Sequence, residues 1–81
     1  MNVKVLFFAT MRERTGIRET ILDVPDGMAV VEFKNLLVER YPGLDTAMSS
    51  VLIAVNKEFA FDDQIIPDHA EVAVFPPVSG G

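Results

Sequence analysis

Ala29 to Gly43 reads AVVEFKNLLVERYPG, and this stretch decides the fold. Val30, Phe33, Leu37 and Tyr41 recur at three- and four-residue steps, with Leu36 widening the stripe. Glu32, Lys34, Asn35 and Glu39 take the opposite side. That spacing predicts an amphipathic helix over 29–41 with one apolar face to bury. Pro42-Gly43 ends it. Ala29 has no side-chain oxygen with which to cap the first turn, so Asp26, one turn early, is the local candidate. A single helix of this kind needs an apolar sheet face against it, and the flanking sequence supplies the strands.

Upstream, Val3, Val5 and Phe7 alternate with Lys4, Leu6 and Phe8, which predicts a strand over 3–8. Thr10-Met11-Arg12-Glu13 has the spacing of a capping box, and Gly16 can close a short helix in a left-handed conformation. A second strand follows over 18–24, although Ile17, Thr20, Leu22 and Val24 do not all keep one register, and Pro25-Asp26-Gly27 is turn chemistry. Downstream, β-branched residues predict a strand over 51–55, which Asn56-Lys57-Glu58 turns into a short segment over 59–61. Asp62-Asp63-Gln64 is loop, Asp68-His69 a turn, and Glu71 to Phe75 the last strand. This element order is that of the α+β class: a β-grasp (ubiquitin-like) mixed sheet with one main helix across one face. The first and last strands would then lie parallel in the middle of the sheet. The domain is expected to occupy 1–75, with 76–81 as a flexible, extended C-terminal arm.

The totals agree. Eighty-one residues suit one domain, and 49% hydrophobic residues with six Phe supply a core. The chain has no Cys, which excludes disulfides, thiolate metal sites and a Cys nucleophile. Twelve acidic residues outnumber seven basic ones for a formal charge of −5, with no run of Lys or Arg. No nucleic acid and no anionic membrane are therefore expected as partners; a basic pocket on another protein fits better. The opening residues alternate like a strand and lack a cationic leader, and no apolar stretch approaches the roughly 20 residues that span a bilayer. A cytoplasmic location is expected.

Strand alternation also predicts a surface. With Val3, Val5 and Phe7 facing the helix, Leu6 and Phe8 face away; with Val72 and Val74 inward, Ala73 and Phe75 face out. Phe59 or Phe61 can add to the same side. An open sheet face is ordinarily polar, and an apolar patch there marks a partner surface. Pro76 and Pro77 then hold the chain extended and away from the sheet. Beyond them Val78, Ser79, Gly80 and Gly81 can reach about 13 Å at roughly 3.3 Å per residue. Glycine backbone can thread a channel too narrow for any side chain. The group at the tip is the Gly81 carboxylate, a poor acyl donor until adenylation makes its oxygen a leaving group.

Other candidate chemistry falls away. His69 is the sole His and reads as a turn residue, not a metal ligand. Asp62-Asp63 offers too few oxygens for a hard cation, and Ser79 has no His nearby to act as its base. The four Met are scattered packing residues, and Phe33, Leu36 and Leu37 are core.

The stretch VNKEF (55–59), followed by EVAVFPPVSGG (71–81), resembles the MoaD family, the small sulfur-carrying subunits of molybdopterin synthase. KVLFFATMRERTG (4–16) looks like that family's opening strand and short helix, and VEFKNLLVERYPGL (31–44) is similar to its long helix. The resemblance implies a sulfurtransferase role as the sulfur-donating small subunit, with catalytic acid–base residues on the large subunit. It implies that a MoeB-type (ubiquitin-activating-type) enzyme spends ATP to adenylate Gly81, and that a persulfide sulfur donor converts the adenylate to a thiocarboxylate. The arm would then enter a MoaE-like large subunit, in a heterotetramer, and pass sulfur to cyclic pyranopterin monophosphate in molybdenum cofactor biosynthesis. No cofactor or metal is implied for this chain itself. Gly81 is the carrier position, Gly80 its narrow neighbour, and Pro76, Pro77, Val78 and Ser79 match the arm. Phe8, Phe59, Phe75 and Arg12 fall at partner contacts. Asp68-His69 stands where the family often has Asp-Gly, so His69 is expected at positive φ, and Ala29 replaces a common Thr cap. Two alternatives stay open: a ThiS-like sulfur carrier for thiazole synthesis, and a ubiquitin-related protein modifier.

Overall fold

The computed structural model describes residues 1–77. Its strands are β1 (Asn2–Phe7), β2 (Glu19–Asp23), β3 (Leu52–Val55), β4 (Glu58–Phe59) and β5 (Glu71–Phe75), and its helices are α1 (Thr10–Thr15) and α2 (Val30–Arg40). The sheet order is β2-β1-β5-β3-β4. β1 and β5 pair in parallel at the centre, with Leu6 opposite Ala73, and every other pairing is antiparallel. This is the expected β-grasp arrangement.

The helix stripe lies where its spacing puts it. Val30, Phe33 and Leu37 are fully buried against Val3, Val5 and Phe7 of β1 and Val72 and Val74 of β5. Burying each side chain of this size contributes roughly 1.5–3 kcal/mol. Tyr41 ends the stripe half-buried, its ring edge-on to Phe7 at 5.5 Å. The start of α2 is capped by backbone rather than by Asp26. The Val30 and Val31 amides donate to the carbonyls of Gln64 and Asp62 (2.9 and 3.0 Å), and the Ala29 amide donates to Glu32 Oε1 at 3.0 Å. A loop thus satisfies donors that a helix cannot satisfy itself. Lys34 pairs with Asp62 at 2.7 Å and fastens the same loop.

Three local expectations are corrected. Thr10 is the first residue of α1, not its cap: Ala9 turns the chain at φ 50°, and no side chain caps the helix. The Met11 amide donates instead to the Phe8 carbonyl at 3.0 Å. Gly16 does close α1 as expected, at φ 78°, donating to the Arg12 carbonyl. Beyond α2, where only a helix stop was anticipated, Pro42–Ser50 forms a 3₁₀ segment that buries Leu44 and Met48. The short strand β4 ends at Phe59, so Phe61 lies in the loop beyond it.

Val55 faces Glu58 across a two-residue turn in which Asn56 and Lys57 take φ 50° and 71°. These are the two positive angles that a type I′ hairpin requires. Asn56 both donates to and accepts from the Glu71 backbone, at 2.8 and 2.9 Å, which ties the turn to β5. His69 adopts φ 58°, as expected.

Candidate functional site

The face of the sheet turned away from α2 carries the aromatic residues. Alternation along β1 sends Leu6 outward, and Phe8 follows just beyond the strand, its amide donating to the Val74 carbonyl at 3.1 Å. Alternation along β5 sends out Ala73 and Phe75. The Phe8 and Phe75 rings stack with centroids 4.6 Å apart and planes 12° from parallel. Phe59 meets Phe75 edge-on at 6.3 Å and is 71% exposed. Between the rings the surface is a shallow depression floored by Leu6, Ala54 and Ala73, with Lys57 and Glu71 at its margin.

Phe8, Phe59 and Phe75 are therefore brought together as the alternation argument required. Arg12 stands at their edge: with Arg18 and Glu19 it lines a smaller depression beside Phe8 and Leu6. It is exposed and makes no ion pair among the described residues, whereas Lys4 pairs with Glu19 at 3.3 Å. Leu52, opposite Phe75 on β3, and Lys57, in the hairpin turn, belong to this face but were not singled out in the sequence. The β3–β5 register places them, and a strand pattern read in isolation does not reveal its neighbour.

The chain leaves the sheet at Phe75 directly from this patch, and Pro76 and Pro77 lie in a groove between α1 and the 3₁₀ segment. Val78, Ser79, Gly80 and Gly81 fall outside the described residues. Among the described residues no polar or charged side chain is buried, and no group of three or more His, Cys, Asp or Glu could hold a metal ion. No described helix is long and apolar enough to cross a membrane. The described surface can dock a partner through its rings; its side chains form no nucleophile–base constellation for covalent chemistry.

A β-grasp domain with an aromatic open face beside the start of its C-terminal segment belongs to the ubiquitin-like class of proteins. Within that class the chain belongs to the ThiS family, whose model matches residues 5–81. It is 37% identical over 81 residues to the molybdopterin synthase sulfur carrier subunit of Arabidopsis thaliana, spanning 100% of this chain and 84% of that protein. Among solved structures, a putative molybdopterin converting factor subunit 1 from Pyrococcus furiosus superposes with a TM-score of 0.86 at 29% identity, over 96% of this chain and 99% of that one. SAMP1 from Haloferax volcanii superposes with a TM-score of 0.87 at 27% identity, over 100% of both chains.

Proposed function

We propose that this chain is a sulfur carrier whose Gly81 carboxylate is adenylated, converted to a thiocarboxylate and used to deliver sulfur to cyclic pyranopterin monophosphate within molybdopterin synthase. In the first step a Gly81 carboxylate oxygen attacks the α-phosphate of ATP on a MoeB-type enzyme and pyrophosphate leaves. A persulfide sulfur then attacks the acyl carbon and AMP departs. The arm carries the thiocarboxylate into a MoaE-like large subunit, which contributes the acid–base groups. The observation that carries this reading is full-length similarity to molybdopterin synthase sulfur carrier subunits, the ThiS match running through position 81. The stacked Phe8–Phe75 patch supports it, because a docking face beside the root of the arm lets one partner hold the domain and receive the tip.

The test is the intact mass after incubation with a MoeB-type enzyme, ATP and a persulfide donor, beside a chain lacking Gly81. A gain equal to one oxygen replaced by sulfur, absent from the shortened chain, is the expected result. No gain with an enzyme active on its own carrier would overturn it. The likeness to SAMP1, a small archaeal modifier protein, favours a second reading in which Gly81 is joined to a lysine of another protein. Isopeptide-linked species in cell extract that disappear without Gly81 would select that alternative.

A further inference from the structure

Two short elements meet beside the root of the arm, and they meet unusually closely. A Cβ placed on Gly43, at the start of the 3₁₀ segment, would stand 2.8 Å from the backbone carbonyl oxygen of Arg14 at the end of α1. Only a residue without a side chain permits that approach. Arg14 then reaches across the seam: its Nη1 donates to the Gly43 carbonyl at 3.0 Å and to Thr46 Oγ1 at 3.1 Å. These bonds are exposed, and exposed hydrogen bonds contribute little to global stability. The 3₁₀ segment is already anchored by buried Leu44 and Met48. What the clamp controls is the spacing of the two elements, which are the walls of the groove that holds Pro76 and Pro77.

We propose that Arg14 is a positioning residue for the C-terminal arm: by clamping α1 to the 3₁₀ segment it fixes the seat of Pro76 and Pro77, and so the direction in which Gly81 is presented. The inference rests on Gly81 being the reacting group. Two consecutive prolines have fixed φ, so their seat sets the heading of whatever follows. Four further residues at roughly 3.3 Å each make a lever of about 13 Å. A 30° change at its base moves the tip by about 7 Å, whereas a misplacement of about 1 Å can already cost on the order of a hundredfold in rate. The two glycines at the tip allow some recovery, so the expected loss is about five- to tenfold.

The experiment compares Arg14→Gln, Arg14→Lys and Gly43→Ala with the natural chain in three measurements. These are thermal unfolding, nuclear Overhauser contacts from the Pro76 and Pro77 rings to Met11 and Ala47, and ATP–pyrophosphate exchange by a MoeB-type enzyme. Arg14→Gln is expected to unfold within a few degrees of the natural chain, lose the ring contacts, and lower kcat about five- to tenfold with KM within twofold. Arg14→Lys, with one ammonium to serve both acceptors, should recover part of kcat. Gly43→Ala should repeat the defect by wedging the seam apart. Retained ring contacts with unchanged kcat in Arg14→Gln would overturn the proposal, as would a kcat loss no larger than the loss of folded protein. Should the natural chain show no Gly81-dependent exchange, the acyl-carrier reading fails by itself. The ring contacts then decide the seat alone: their loss in Arg14→Gln supports it and their persistence refutes it.

Discussion

Replacing Phe75 with Ala separates the docking role of the sheet face from its structural role. In the free protein Phe75 stacks on Phe8 at 4.6 Å and meets Phe59 edge-on at 6.3 Å, but the ring is only half-buried. A fully buried Phe→Ala costs about 3–5 kcal/mol, and each aromatic pair contributes about 0.5–1.5 kcal/mol beyond its area. A half-buried ring on an open face should therefore cost about 1–2 kcal/mol, which lowers Tm by about 5–15 °C in a domain of this size. Binding should suffer more in proportion, because Phe75 lies at the middle of the aromatic cluster. A central aromatic anchor contributes about 2 kcal/mol or more, equivalent to about thirtyfold in Kd. The assay is calorimetric titration of each variant with the large subunit of molybdopterin synthase from the same organism, after circular dichroism has established folding. Phe61→Ala is the matched control, since Phe61 is 78% exposed and lies beyond β4, outside the cluster. It should leave Kd within about twofold. A Phe75→Ala variant that binds within threefold of the natural chain would refute the docking face. A variant that fails to fold would show that the ring is core.

Three further changes probe the scaffold by urea denaturation. Ala29→Ser should stabilise it by about 1 kcal/mol, because position 29 has the extended backbone of a helix cap and the serine oxygen can accept the Glu32 amide; an unchanged midpoint would mean that this amide already has a partner. Lys57→Gly should stabilise it by about 0.4–1 kcal/mol by relieving φ 71° in the hairpin turn, and a loss of stability would count against the type I′ geometry. Leu37→Ala should cost about 2–5 kcal/mol, since Leu37 has no exposed surface and the helix stripe depends on it. A cost below 1 kcal/mol would mean that the stripe packs elsewhere.

Patterns that bury a face were legible before any coordinates. The three- and four-residue steps in 29–41 and the twofold alternation of β1 and β5 depend only on which side of an element is dry. From them followed the helix-covered sheet, its parallel centre and the outward Phe8 and Phe75. The 3₁₀ segment was not legible, because Leu44 and Met48 are its only fully buried residues and two points establish no period. Thr10 misled for a related reason. Its hydroxyl and Glu13 have the spacing of a capping box, but the Phe8–Val74 hydrogen bond carries the chain past β1 and Ala9 turns it sharply, so the helix begins one residue early. The cap of α2 comes from carbonyls thirty residues downstream at Asp62 and Gln64, a pairing that exists only once the chain is folded.

The position of β5 also has a mechanical consequence. The strand that leads into the arm is not at an edge: it runs parallel to β1 on one side and antiparallel to β3 on the other. A pull along the arm, by an enzyme that grips the tail, loads both rows of backbone hydrogen bonds in shear. They must then yield together, whereas an edge strand peeled sideways would lose them one at a time. Tension on the arm is therefore shared across the centre of the sheet, and the tail can be drawn into a narrow channel without unravelling the domain that bears it.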